Sequence, residues 1–237
     1  MEKKEKKETV YDIEVMVADE SHEKYIDTIL DTIEASAKDR GTGIAKRSHD
    51  YVAQKMLEGK VIIALAGDEF AGFTYIESWG NKQYVATSGL IVANKFRNQG
   101  LARRIKHASF QLARLRWPRA KIFSLTSGKA VIKLNTELGY IPVTFADLTD
   151  DESFWRGCSG CINYDVLLRS QQRYCICNAM LFDPDDERCL RLEKMCQSLA
   201  KKEAKKRKAD IKNVTTAKNG DHDSKQKNNH KILQNGE

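Results

Sequence analysis

Between residues 101 and 115, apolar or small side chains recur at Leu101, Ala102, Ile105, Ala108, Phe110, Leu112 and Leu115, the spacing of a helix with one buried side. Just ahead of it, Leu90, Ile91 and Val92 make a short apolar run, and polar residues separate the two. Residues 88–117 therefore predict strand, loop, helix. Upstream, residues 13–18 (IEVMVA) predict a first strand, and residues 21–38 an amphipathic helix with Tyr25, Ile26, Ile29, Leu30 and Ile33 on its buried side. Arg40-Gly41-Thr42-Gly43 ends that helix, and Ser48 caps a second, short one over residues 48–57. Residues 61–66 and 70–77 predict two strands joined at Gly67-Asp68-Glu69, and Gly80-Asn81-Lys82 turns the chain into a third over 83–92. The three form an antiparallel meander that ends at the loop before the long helix. That helix stops near Pro118. A strand at 121–125, a helix reaching Leu138 and a strand at 140–145 follow, and residues 184–207 are again helix-like.

With 237 residues the chain can bury one full core and carry an extension. No window approaches the ~20 consecutive apolar residues of a membrane span. The N-terminus, MEKKEKKE, is charged with no apolar stretch behind it, so it does not read as a secretory signal. A cytoplasmic protein is expected, with its six cysteines reduced or metal-bound. The net charge of +7 is uneven: residues 188–237 hold 14 Lys or Arg against 6 Asp or Glu, leaving the rest close to neutral. Residues 1–9 and 208–237 read as disordered, the latter a basic tail. Such a tail can meet nucleic acid through phosphates, although no aromatic residue is interleaved in it.

The loop before the long helix is Arg97-Asn98-Gln99-Gly100-Leu101-Ala102, of pattern R-x-x-G-x-A. A helix start offers unpaired N–H groups and the positive end of the helix dipole, a glycine lets an anion approach the backbone, and Arg97 adds a charged donor. This is a phosphate-binding arrangement. Taken with Leu90 and Val92 ahead of it, the stretch resembles the acyl-CoA site of the GNAT acyltransferase superfamily. Leu134-Asn135-Thr136-Glu137-Leu138-Gly139-Tyr140 is similar to the L-Y-E-K-L-G-F segment that ends the next helix there. The shared order spans roughly residues 12–146.

The resemblance implies an α/β (α+β) fold with a mixed, mostly antiparallel central sheet flanked by helices, occupying residues 10–183. It also implies two neighbouring strands that part where the thioester sits, at Leu90, Ile91 and Val92 on one side and residues 124–126 on the other. A backbone N–H near Leu90 or Ile91 would then steady the oxyanion. The cofactor set is Leu90, Ile91, Val92, Arg97, Asn98, Gln99, Gly100, Leu101 and Ala102, with acetyl-CoA or succinyl-CoA as co-substrate. Glu77 or Tyr84 would serve as base for the acceptor amine, unless they are merely solvated. Asn135 stands where many members carry the tyrosine that protonates the leaving thiolate. It can hydrogen-bond but not donate a proton of that acidity. Gly128 replaces a common asparagine and Asn98 a common glycine.

Arg40, Lys46 and Arg47, in the loop between the first two helices, suit a carboxylate-bearing acceptor or else a solubilising surface. Together with the segment FWRGCSGCINYD…CICNAMLFDP, the chain resembles stand-alone N-acylglutamate synthases of arginine biosynthesis. That resemblance implies transfer of an acetyl or succinyl group to the α-amine of glutamate. An acetyltransferase for a protein or ribosomal amine, and a non-catalytic CoA-sensing or nucleic-acid-binding module, are the alternatives. A homodimer is left open.

Cys158-x-x-Cys161 and Cys175-x-Cys177, in the Cys-rich segment 154–183, have the paired spacing of a structural zinc site built from four cysteines. Packed free thiols, or a redox pair, are the other readings.

Overall fold

In the computed structural model, residues 11–40, 45–206 and 208 are described. The leader 1–9 and the basic tail from 209 onward lie outside the described residues. A seven-stranded sheet runs in the order β1 (Glu14–Val17), β2 (Val61–Ala66), β3 (Glu69–Trp79), β4 (Tyr84–Val92), β5 (Lys121–Thr126), β7 (Asn178–Phe182), β6 (Ile141–Pro142). Every neighbouring pair is antiparallel except β4 with β5. The mixed, mostly antiparallel α/β sheet is thus as the resemblance implies, and the meander β2–β3–β4 as the hydrophobic pattern implies.

Strand alternation places two cores on opposite faces of the sheet. On one face, Ile26, Ile29 and Ile33 of α1 (Ile26–Arg40) and Val52 and Met56 of α2 (His49–Leu57) bury Val61, Ile63, Leu65, Phe73 and Tyr75. The same face farther along carries Ala86, Phe123 and Leu181 under Trp155 of α5 (Glu152–Arg156) and Leu167 of α6 (Tyr164–Arg169). On the other face, Leu101 and Ile105 of α3 (Leu101–Arg116) cover Ile62, Ala64 and Ala71. Phe110 of α3 joins Leu138, just past α4 (Lys129–Glu137), over Val85, Ile122 and Phe182. Ser48 caps α2 as its sequence signals, its hydroxyl accepting from the Tyr51 N–H at 3.2 Å.

Three elements differ from expectation. The first helix opens with a 3-10 segment, Glu20–Tyr25, started by Asp19, so α1 begins only at Ile26. The strand expected over 140–145 shortens to two residues. Pro142 has no N–H to extend the ladder, and the Thr144 N–H and hydroxyl bond Asp147 to begin a 3-10 turn at Phe145. β7 has no counterpart in the hydrophobic pattern, yet it inserts between β5 and β6. It is buried from Ala179 to Phe182 and shows no period-2 alternation to mark it.

The chain divides into two compact units, residues 1–193 and 194–237. In the second, the described residues 194–206 and 208 are helical. No helix among the described residues is long and apolar enough to cross a membrane.

Candidate active site

β4 and β5 pair over only three rungs, Tyr84–Lys121, Val85–Ile122 and Ala86–Phe123. Beyond Ala86 they part. The cause lies within β4: on its other edge Phe73 pairs with Ile91 while Tyr75 pairs with Ser88, so β4 carries one extra residue and bulges at Gly89 and Leu90. Gly89 has φ of +68°, which a residue with a Cβ rarely adopts, and the Tyr75 ring lies 3.0 Å from where that Cβ would stand. An isolated glycine inside a strand pattern was the available signal for this bulge.

The gap opens into a cavity of about 730 Å³. Ser88, Gly89, Leu90 and Ile91 form one edge and residues 124–128 the other. Arg47, Tyr51, Tyr75, Glu77 and Phe154 reach it from the α1/α2 face, and Lys106 of α3 and Val131 of α4 from the opposite face. The cavity therefore lies within the gap of the sheet, with walls contributed from both faces. A thioester lying along the strand edges would find unpaired backbone there.

The turn that follows β4 also takes up its expected form. Asn98 (φ +64°) and Gly100 (φ +76°) are both left-handed, and Gly100 is the N-cap of α3. Asparagine tolerates this conformation better than other L residues, which accounts for Asn98 in place of glycine. Nothing lies within 4 Å of the position a Cβ on Gly100 would occupy, so the space over the first turn of α3 is open. Arg97 does not point its whole guanidinium there. Its Nε donates to the Val92 carbonyl at 3.0 Å and its Nη2 to the Ser36 hydroxyl at 3.1 Å. Arg97 thus braces the turn against β4 and α1.

Of the acceptor residues read from sequence, Lys46 and Arg47 line the cavity. The Arg47 guanidinium lies over the rings of Tyr51 and Tyr75, 5.7 and 5.8 Å from their centroids. Its Nη1 donates to the carbonyls of Lys46 and Gly157. The side chain of Arg40 and residues 41–44 lie outside the described residues. Glu77, 8% exposed, also lines the cavity. It is ion-paired to Lys55 and, at 2.6 Å, to Lys60, and it accepts from the Ser78 N–H at 2.8 Å. Burial pushes its pKa up, but the two ammonium groups outweigh that and hold it below the usual carboxylate range. Glu77 is therefore a standing negative charge more than a proton acceptor.

Two of the three catalytic candidates, Tyr84 and Asn135, are not brought to the cavity, and neither Val92 nor any of residues 97–102 lines it. Tyr84 packs edge-on against Phe123 and lines a separate depression with Lys121 and Asp183, because it sits on the paired stretch of β4, ahead of the gap. Asn135 is fully buried, its amide nitrogen 3.5 Å from the Met180 sulfur and its Oδ1 without a partner. Conversely, Lys106, in sequence one basic residue among several on an amphipathic helix, is 1% exposed at the cavity wall.

Cys158, Cys161, Cys175 and Cys177 do gather on one wall of the cavity. Yet among the described residues no group of three or more His, Cys, Asp or Glu side chains is placed to hold a metal ion. The Cys161 sulfur accepts from the Asn163 N–H at 3.5 Å, and the Cys175 thiol faces the Asn163 carbonyl at 4.0 Å. Burial pushes the Cys158 thiol up to about 11 and the Cys177 thiol up to about 12. The four thiols pack against the cavity wall, and the zinc reading finds no support in their placement.

No protein-family model and no curated protein sequence matches the chain. Solved structures do. One is N-acetylglutamate synthase from Neisseria gonorrhoeae complexed with coenzyme A and N-acetyl-glutamate, at TM-score 0.53 and 13% identity over 75% of this chain. This chain spans 36% of that protein's length. A second is Rv2747 from Mycobacterium tuberculosis in complex with CoA, at TM-score 0.52 and 14% identity over 72% of this chain and 98% of that one. A third is yncA from Salmonella typhimurium with its cofactor acetyl-CoA, at TM-score 0.50 and 13% identity over 74% and 96% of the two chains. Identities this low show the fold alone: this chain shares the architecture of those structures, as its resemblance to the GNAT superfamily implies.

Proposed function

We propose that the chain is an acyl-CoA-dependent N-acyltransferase whose acceptor is a small amine bearing a carboxylate, with the α-amine of glutamate as the leading candidate. The observation that carries this reading is the parting of β4 from β5 at Ala86 and Phe123, which opens a cavity edged by Ser88 to Ile91 on one side and residues 124–128 on the other. The diphosphate of CoA would lie on the N–H groups after Gly100, and the pantetheine along the free edge of β4. A backbone N–H at Leu90 or Ile91, in the bulge, would receive the charge that develops on the thioester oxygen.

Arg47 and Lys46 supply positive charge for the acceptor carboxylate; with Nε of Arg47 bonded to Tyr75 and Nη1 to the Lys46 and Gly157 carbonyls, its Nη2 is the nitrogen that would meet it. Glu77, kept ionised by Lys55 and Lys60, offers a hydrogen-bond acceptor to the amine and orients it for attack. That solved structures of the same fold bind CoA, one of them with N-acetyl-glutamate, supports the choice of donor and acceptor class. The test is thiol release by the purified chain with acetyl-CoA or succinyl-CoA and a panel of amino acids. Release that depends on glutamate or another acidic amino acid supports the reading, and release indifferent to the acceptor rejects it.

A further inference from the structure

Lys106 is the one charged-type side chain that is wholly buried with no acidic partner in reach among the described residues. Its Nζ donates to the Thr87 hydroxyl at 2.6 Å, and that hydroxyl in turn donates to the Phe123 carbonyl at 3.3 Å. Phe123 belongs to the last rung that joins β5 to β4, and Thr87 is the first residue of β4 beyond it. The amine therefore stands at the vertex where the strands part, and both it and Thr87 line the cavity. Close by is the Tyr140 ring, whose centroid lies 5.2 Å from Nζ and whose own hydroxyl is buried without a hydrogen-bond partner. An uncompensated ammonium costs several kcal/mol to bury and has no packing advantage over methionine. Its position at the vertex calls for a use.

Resting on the acyltransferase reading above, we propose that Lys106 is the proton donor to the departing CoA thiolate, and the group that afterwards takes up the proton released by the acylated amine. The neutral acceptor amine attacks the thioester carbonyl, and a C–N bond forms. As the tetrahedral intermediate collapses the C–S bond breaks, its electron pair passes to sulfur, and sulfur takes a proton from the Lys106 ammonium. The new amide, still carrying the extra proton of the attacking nitrogen, returns one to Lys106 directly or through Thr87. The lysine ends as it began, and the products are the N-acyl amine and free CoA thiol.

Other groups on the cavity wall are less suited. Arg47 does not release protons, Glu77 stays ionised, and burial pushes the Tyr51 hydroxyl well above its usual range. Burial alone lowers the Lys106 ammonium to about 7, with no charged neighbour contributing; the polar groups facing it are the Thr87 hydroxyl from β4 and the Tyr140 ring that follows α4. A donor near 7 is matched to a thiol of pKa ~8.5 at physiological pH.

The test compares K106M, K106R and T87V with the wild type in acetyl-CoA binding by calorimetry and in kcat across pH 6 to 9. Both Lys106 variants should bind acetyl-CoA within about threefold of wild type and lose about 10²-fold or more in kcat. K106R keeps the charge but not a transferable proton, so an equal loss there identifies proton transfer. The wild-type kcat should fall as pH rises through about 7, where the ammonium loses the proton it donates, and K106M should lack that fall. T87V, which leaves Lys106 in place, should lower kcat more than it changes KM and covers the case in which the lysine variants fail to fold. Retention of kcat and of the same pH profile by K106M or K106R would overturn the proposal. A folded wild type that binds acetyl-CoA but acylates no amine would instead sink the acyltransferase reading, and this proposal with it.

Discussion

Arg47 Nε donates a 2.7 Å hydrogen bond to the Tyr75 hydroxyl, tying a loop residue between α1 and α2 to the middle of β3. Tyr75 also meets Tyr51 of α2 edge-on, at 5.7 Å between ring centroids. The guanidinium is thus fixed between two rings at the cavity wall, with less side-chain entropy left to lose when it grips a carboxylate.

This arrangement predicts a separation of kinetic constants. R47A should raise KM for an acidic acceptor by about tenfold or more, the loss of a charged hydrogen bond worth ~1.5–3 kcal/mol, while KM for acetyl-CoA stays within about twofold. Y75F keeps the ring but frees Arg47, and should raise the acceptor KM by a smaller factor. Initial rates with the two substrates varied in turn make the comparison. Equal shifts in both KM values would place Arg47 on the donor side.

Gly100 makes a second, separable prediction. With φ of +76° and open space around it, an alanine there meets no atom and costs only the left-handed strain of ~1–2 kcal/mol. G100V adds bulk in the place proposed for the diphosphate. Both variants should melt a few degrees below wild type, but G100V should lose CoA affinity by far more than its melting shift implies. Calorimetric titration with CoA beside thermal melts decides it, and unchanged affinity in G100V would remove the turn from the binding site.

Much of this is readable in the chain, for physical reasons that differ by element. The meander and α3 are legible because their apolar residues repeat at 2 and 3.6, and the anion turn because Gly100 sits between an apolar strand and an amphipathic helix. β7 is not, since a strand buried from Ala179 to Phe182 loses its alternation and merges with the neighbouring cysteines. Asn135 rests on likeness to a motif and Tyr84 on its place across the turn from Glu77, and the fold turns the first into the core and leaves the second on the paired stretch of β4. Lys106 could not be found from pattern alone. On a helical wheel it looks like a solvated residue at the margin of the apolar side, and only the packing of α3 over the gap reveals it as buried.

Glu77 makes the stability of the acceptor wall depend on acid. Its carboxylate is ionised in the fold and joined to Lys55 and Lys60, so the folded pKa lies below the unfolded one. The stability it contributes is present above the unfolded value and is lost as pH falls through the folded one. E77Q should therefore be less stable than wild type at pH 7 by about 2 kcal/mol, with the difference shrinking below about pH 4. Urea denaturation at pH 7 and pH 3.5 measures both. A constant difference between the two would mean that the ion pairs contribute nothing to folding.

Lys106 also makes stability rise with pH, but for the converse reason: here the charged form is the costly one. Its folded pKa of about 7 lies beneath the unfolded value, so between the two the unfolded chain binds a proton that the folded chain does not. Stability then rises as pH climbs from 7 toward the unfolded value, and below 7 the fold carries a buried ammonium at its full cost. Methionine of similar length removes that cost and, with it, the pH dependence. K106M should melt above wild type at pH 6.5, and the gap should narrow by pH 8.5, before the raised thiols of Cys158 and Cys177 begin to titrate. A variant that is more stable but slower is the signature of a residue retained for chemistry at the expense of folding. If K106M melts lower than wild type at pH 6.5, the lysine and its bond to Thr87 hold the vertex together, and its burial is structural.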